Sequence, residues 1–318
     1  MDLEQIRQIK RSVETDLLKI PGVNGVAIGF KYRAGKQTDE LAIRVYVEHK
    51  GVYASGELIP IELQGVKTDV VEVKKPTSMI LKAPVAQMRI MVDKRLYNPL
   101  VGGISLGPCR EIGGFVFTGT LGSIVFDNAT GAPMLLSNYH VMVVDAEGKI
   151  GDTMVQPGQP DGGDCPEEVV GELARSRLGD NVDCAVTLQT ARGYRREIVE
   201  IGPVTEVTEA CLGMPVHKRG RTTELTYGTV DAIDYTTRID YGDGLGELTF
   251  TNQIGIMADL ARNAVFSDHG DSGSLIVDDC NRVIGLLFAG SGSFTVANPI
   301  QWVFEAMQVS LAMPEETD

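Results

Sequence analysis

From Gly113 onward the chain breaks into short apolar runs separated by Gly and Asp turns about every ten residues, with hardly any helical periodicity. Strands repeated at that spacing fold into barrels or a sandwich, because each must pair along its edges and bury one face. The 36 glycines agree with a turn-rich β fold. At 318 residues the chain exceeds the length at which one core stops growing, so a small and a larger unit are expected.

The small unit comes first. Leu3, Ile6, Ile9, Val13, Leu17 and Leu18 recur at three- and four-residue spacing and predict an amphipathic helix over residues 3–19. Pro21-Gly22 stops it, and 23–32, 41–47 and 66–73 alternate or run apolar as strands do. Residues 1–76 therefore read as an α+β domain with its own sheet, able to fold alone and to regulate the larger unit. Residues 77–112, with Pro84, Pro99, Gly102-Gly103 and Gly107-Pro108, read as a linker or strap. Residues 113–318 form the β-rich unit, closed by a helix over 299–311 that Trp302 anchors.

The formal charge of −14 argues against nucleic acid and anionic membrane surfaces as partners. No window has the apolar length of a membrane span, and the N-terminus lacks a basic-then-apolar signal pattern, so the expected address is cytoplasmic. Cys109, Cys165, Cys184, Cys211 and Cys280 are odd in number and widely spaced, and read as mostly free thiols; Cys109 with Cys165 is the pair that would close in an exported protein. Asp161-Gly162-Gly163-Asp164 reads as a turn rather than a calcium loop, and 242–246 lacks the strand-then-helix context of a phosphate loop. Neither metal nor organic cofactor is expected.

Chemistry concentrates in Gly270-Asp271-Ser272-Gly273-Ser274, which leads at once into the apolar run Leu275-Ile276-Val277. A serine between glycines on a tight turn at a sheet edge can be a nucleophile, and the amides of Gly270 and Ser272 can converge where an oxyanion forms. The plainer alternative is a surface turn. Of four histidines, His49 lies in a polar loop, His217 is crowded by cations, and His269 is too near the serine to serve as base and is placed at the rim of the site. His140 remains, at the end of an apolar run from Met134. For the acid, Asp183 is a single carboxylate inside Val182–Val186, where it needs a partner.

The order His140, Asp183, Ser272 is that of triads on β-barrels. Thr118–Val125, Leu136–Val141, Val182–Val186 and Gly270–Ser274 together resemble the motifs of trypsin-like (chymotrypsin-fold) serine proteases over roughly residues 113–310, in the manner of bacterial trypsin-like proteins and plant narrow-leaf proteins. The resemblance implies a double β-barrel with a C-terminal helix. It also implies that a cation on the 216–223 segment neutralises Asp271; Lys218 aligns best, with Arg219 or Arg221 as alternatives. By the same resemblance Phe266 stands at the base of the specificity pocket, with Phe288 and Gly290 in its wall and His269 on its rim. A phenyl ring there favours small or medium apolar residues before the cut.

The implied activity is a serine endopeptidase acting on protein or peptide substrates: Ser272 attacks, His140 moves the proton, Asp183 fixes the tautomer, and the amides of Gly270 and Ser272 hold the oxyanion. A latent or non-catalytic protease-fold scaffold, and an esterase with the same residues, are the alternatives; a shut cleft would favour latency. Self-association into a homo-oligomer is compatible with the chain.

Overall fold

The structure, a computed structural model, describes residues 1–53, 59–84, 93–242 and 244–313. Leu3–Leu17 is helical, and Asp2 starts it with a capping box: its carboxylate accepts the Gln5 N–H at 2.8 Å, and the Gln5 side chain accepts the Asp2 N–H at 3.0 Å. Val23–Arg33 and Lys36–Val47 form an antiparallel hairpin, and Val66–Glu72 adds in parallel to the second of these strands.

These strands do not make a sheet of their own. Val23–Arg33 pairs antiparallel with Glu224–Asp240, so the N-terminal strands extend a sheet belonging to the C-terminal half of the chain. Ile6, Leu17, Val26, Ile28 and Val45 share one apolar cluster with Val216, Val230, Ile254 and Ile276. Each such buried side chain contributes about 1.5–3 kcal/mol relative to exposure, and here that stabilisation is held jointly. The buried Lys10 reinforces the join, donating to Thr236 Oγ1 at 2.6 Å and pairing with Glu14. The expectation that residues 1–76 fold alone on a private sheet therefore gives way: their removal would expose the Glu224–Asp240 edge and half of a shared core.

Two barrels carry the rest. In the second, Pro215–Gly220, Leu275–Asp278, Val283–Ser291, Phe294–Pro299, Glu247–Ala258 and Glu224–Asp240 pair in that spatial order, and the last returns to the first to close the ring. In the other, Ile104–Pro108, Phe115–Leu121, Pro133–Ser137, Val182–Gln189, Val169–Gly179 and Thr153–Val155 are joined antiparallel, with Phe115–Leu121 running on through Gly122 into Ser123–Asp127. The fold is thus mainly β with two barrels, as the resemblance implied.

Residues 77–112 are more than a linker. Ile104–Pro108 is a barrel strand, Leu100–Gly102 pairs with Tyr194–Ile198, and Thr77–Ser78 and Leu81–Pro84 each add to a barrel edge. The terminal helix runs over Ile300–Met307 and is shorter than expected. Gln308 ends it with φ of 52°, after which Val309–Ser310 pairs with Phe126–Asp127. Cys109 and Cys165 are joined by a disulfide, leaving Cys184 buried and Cys211 and Cys280 exposed as free thiols.

Candidate active site

The seam between the barrels gathers the residues singled out by sequence. Gly119, on a strand of the first barrel, lacks the Cβ that would strike Val141 at 2.5 Å and the Ser272 carbonyl at 3.0 Å, so the histidine turn and the serine turn both close on it. Thr120 donates its N–H to Ser272 O at 2.8 Å and its hydroxyl to Gly270 O at 2.9 Å. Gly273 adopts φ of 95°, and a Cβ there would collide with both Ser137 Oγ and Thr120 O. Only glycine permits that approach of the serine turn to the first barrel.

His140 lies in the single turn Tyr139–Met142 and is 3% exposed, whereas Asp183 on the strand Val182–Gln189 is wholly buried. The carboxylate is fully used. Oδ2 lies 2.5 Å from His140 Nδ1 and accepts the Tyr241 hydroxyl at 2.7 Å, and Oδ1 accepts the His140 N–H at 3.2 Å. Asn138 and Asn298 hold the Asp183 backbone, one donating to its carbonyl at 2.7 Å and the other accepting its N–H at 3.0 Å. Burial, and then Asp183 beside it, pushes the Tyr241 phenol well above its ordinary range, so it stays a proton donor to the carboxylate. With Nδ1 engaged, His140 presents Nε2, which is buried and has no hydrogen-bond partner among the described residues.

Ser272 is also fully buried. Its Oγ donates to Phe288 O at 3.3 Å rather than to His140. The structure therefore joins acid to imidazole but leaves the serine–imidazole hydrogen bond unmade.

Beside the serine, Asp271 is buried under a dense set of donors. Lys218 Nζ is 3.3 Å from Oδ2, Thr223 Oγ1 is 2.6 Å away, and the N–H groups of Thr222, Thr223 and Asp268 approach at 2.8, 3.1 and 2.9 Å. Burial lowers the Lys218 pKa, and Asp271 opposes that shift. Arg219 and Arg221 point elsewhere, to Asp93 and Asp161 respectively. Truncating Lys218 would leave a buried carboxylate without its cation. Lys218→Met is expected to lower unfolding stability by about 3–5 kcal/mol, read as a shift of the urea midpoint. A midpoint unchanged from wild type would show that the neutral donors suffice.

Of the residues assigned to a pocket, Phe266 is buried within the apolar cluster shared by the barrel and the N-terminal strands, and Lys218 Nζ stands 5.9 Å from its ring centroid. Phe288 is also buried, its ring centroid 4.9 Å from that of Phe250 and tilted 43° to it. Gly290 is buried on the same strand, and His269 is exposed. Sequence reasoning missed Tyr241, Asn138 and Asn298 as supports of Asp183. Asn138 lies within the Leu136–Val141 motif, but Tyr241 follows directly on the long strand Glu224–Asp240 with no local signal of its use. Among the described residues no cluster of potential metal ligands is present, and no helix is long and apolar enough to cross a membrane.

No family model matches the chain. It is similar to the rice (Oryza sativa subsp. japonica) protein NARROW LEAF 1, with 27% identity over 316 residues covering 85% of this chain; it spans only 51% of that relative's length. Among solved structures it is similar to Thermobifida fusca protease A, with a TM-score of 0.49 and 17% identity over 67% of this chain and 98% of that one. It is also similar to Nocardiopsis protease, with a TM-score of 0.48 and 17% identity over 66% and 97% of the two chains. A chymotrypsin from Cellulomonas bogoriensis gives a TM-score of 0.46 and 20% identity over 67% and 98%. These three solved structures are by name two proteases and a chymotrypsin, and each shares no more than 20% identity with this chain.

Proposed function

We propose that the chain is a serine endopeptidase that cuts peptide bonds through an acyl-enzyme on Ser272. The observation that carries this reading is the arrangement at Asp183: a buried carboxylate held by Tyr241 and by His140 at both ring and backbone, with His140 Nε2 left unpartnered at the seam where Ser272 turns. A purely structural histidine in that setting would have its second nitrogen satisfied.

In the reaction Ser272 Oγ leaves Phe288 O by rotation about its single χ bond and gives its proton to Nε2 as it attacks the carbonyl. Asp183 keeps Nδ1–H in place and stabilises the imidazolium, and the amides of Gly270 and Ser272 face the developing oxyanion. The Lys218–Asp271 pair holds the turn that carries those amides.

Substrate preference comes from the pocket. With Phe266 near its base, a guanidinium or ammonium entering would lose water and find no counter-charge. Peptides with a small or medium apolar residue before the cut, methionine included, are expected to be cleaved on the order of 10²-fold faster than Arg or Lys counterparts. A peptide library profiled by mass spectrometry reads this directly, and dominant cleavage after Arg or Lys would reject it.

The buried Ser272 also fits a protease-fold scaffold without turnover, the one competing reading that a specific observation favours. The Cys109–Cys165 bond bears on address: disulfides persist in oxidising compartments, which counts against the cytoplasmic expectation. Alkylation of the protein in intact cells, before and after reduction, decides the compartment.

A further inference from the structure

The segment read from sequence as a strap runs through the site. Thr77 and Ser78 pair antiparallel with Gly290 and Ala289, on the strand whose Phe288 carbonyl also accepts the Ser272 hydroxyl. Met79 donates its N–H to that same Phe288 carbonyl at 3.4 Å, and its own carbonyl accepts the Gly270 N–H at 2.6 Å. Its side chain is 3% exposed: Ser267 Oγ donates to Sδ at 3.2 Å, and a Cβ on Gly290 would lie 2.6 Å from Cε. Beyond it, Ile80 O lies 3.3 Å from His269 Nδ1, and Leu81–Pro84 pair antiparallel with Phe115–Thr118 of the first barrel.

Each feature is what an extended peptide substrate needs at such a site. One side is bonded as an added strand to the second barrel and the other to the first, an apolar side chain fills the pocket, and the carbonyl between them meets an amide assigned to the oxyanion. The peptide bond after that carbonyl is Met79–Ile80.

We propose that the strap is the enzyme's own first substrate, cut in cis between Met79 and Ile80. This rests on the chain being an endopeptidase. Ser272 Oγ attacks the Met79 carbonyl carbon while its proton passes to His140 Nε2. The C–N bond then breaks, and Ile80 leaves as an amine carrying that proton. Water, deprotonated by His140, attacks the Met79–Ser272 ester, releases the Met79 carboxylate and restores the serine hydroxyl. The fragment 1–79 stays attached through the pairing of Val23–Arg33 with Glu224–Asp240, while its new carboxyl end, Thr77–Met79, is no longer tethered to Leu81–Pro84 on the first barrel and can leave the Val283–Ser291 strand, which opens the pocket to peptides in trans.

The test is intact-mass analysis of the purified full chain as wild type, Ser272→Ala and Ile80→Pro, incubated at two concentrations 100-fold apart. Proline after the scissile carbonyl keeps Met79 extended but presents a tertiary amide. The wild type is expected to yield fragments ending at Met79 and beginning at Ile80, with a half-time independent of concentration, and both variants to remain whole. Cleavage that persists in Ser272→Ala, or that falls at another bond, overturns the proposal. A wild-type chain that stays whole yet hydrolyses an added peptide also overturns it but leaves the endopeptidase reading standing. A whole chain whose Ser272 is inert to peptide and to fluorophosphonate overturns both.

Discussion

Ser272→Ala is expected to lower kcat on an apolar-P1 peptide by about 10⁶-fold, because removing the nucleophile of a unit of cooperating residues costs nearly as much as removing the whole unit. The folded state should barely notice. The lost hydroxyl makes one long bond, to Phe288 O at 3.3 Å, and that carbonyl also accepts the Met79 N–H. Single-turnover kinetics alongside thermal unfolding separate the two effects. A variant within tenfold of wild-type kcat would remove Ser272 from the chemistry.

Asp183→Asn should lower kcat by about 10⁴-fold with KM little changed, and here the reason is the tautomer. Asp183 now accepts from three donors: the imidazole and Tyr241 at Oδ2, and the His140 N–H at Oδ1. An asparagine that keeps its oxygen toward the backbone N–H turns its amide hydrogens on Nδ1, so the ring proton moves to Nε2 and the base is lost. The opposite orientation sets two N–H groups against each other in a buried site, a cost of about 1–3 kcal/mol. Rates measured from pH 6 to 9 should stay low throughout, since no pH restores the tautomer. Recovery of wild-type turnover at high pH would show that Asp183 acts only through charge.

The β-rich body of the chain was legible because short apolar runs between glycines have few other ways to bury themselves. Asp183 was legible for a related reason: a carboxylate inside Val182–Val186 must have a partner, and the structure sets His140 2.5 Å from it. What escaped was pairing between distant segments. Nothing in Val23–Arg33 announces that its edge meets Glu224–Asp240, since strand periodicity specifies which face is buried and not which neighbour is chosen. Thr77–Pro84 looked like a linker because its residues are mixed, and its order comes from the barrels it lies on. The Cys109–Cys165 pair was legible as the one that would close, but five widely spaced cysteines do not by themselves say whether it closes. Lys218 was one of three cations in the segment, with Arg219 and Arg221 following it. Only the alternation of side chains along Pro215–Gly220 sends it to Asp271 while Arg219 turns to Asp93.

The most direct measurement is labelling of the full-length chain by an active-site fluorophosphonate, with the modified residue located by peptide mass spectrometry. A nucleophile coupled to His140 and Asp183 predicts covalent label on Ser272 alone, absent from Ser272→Ala and strongly slowed in Asp183→Asn. A folded wild-type chain that acquires no label at Ser272, before or after cleavage of the strap, would contradict the account.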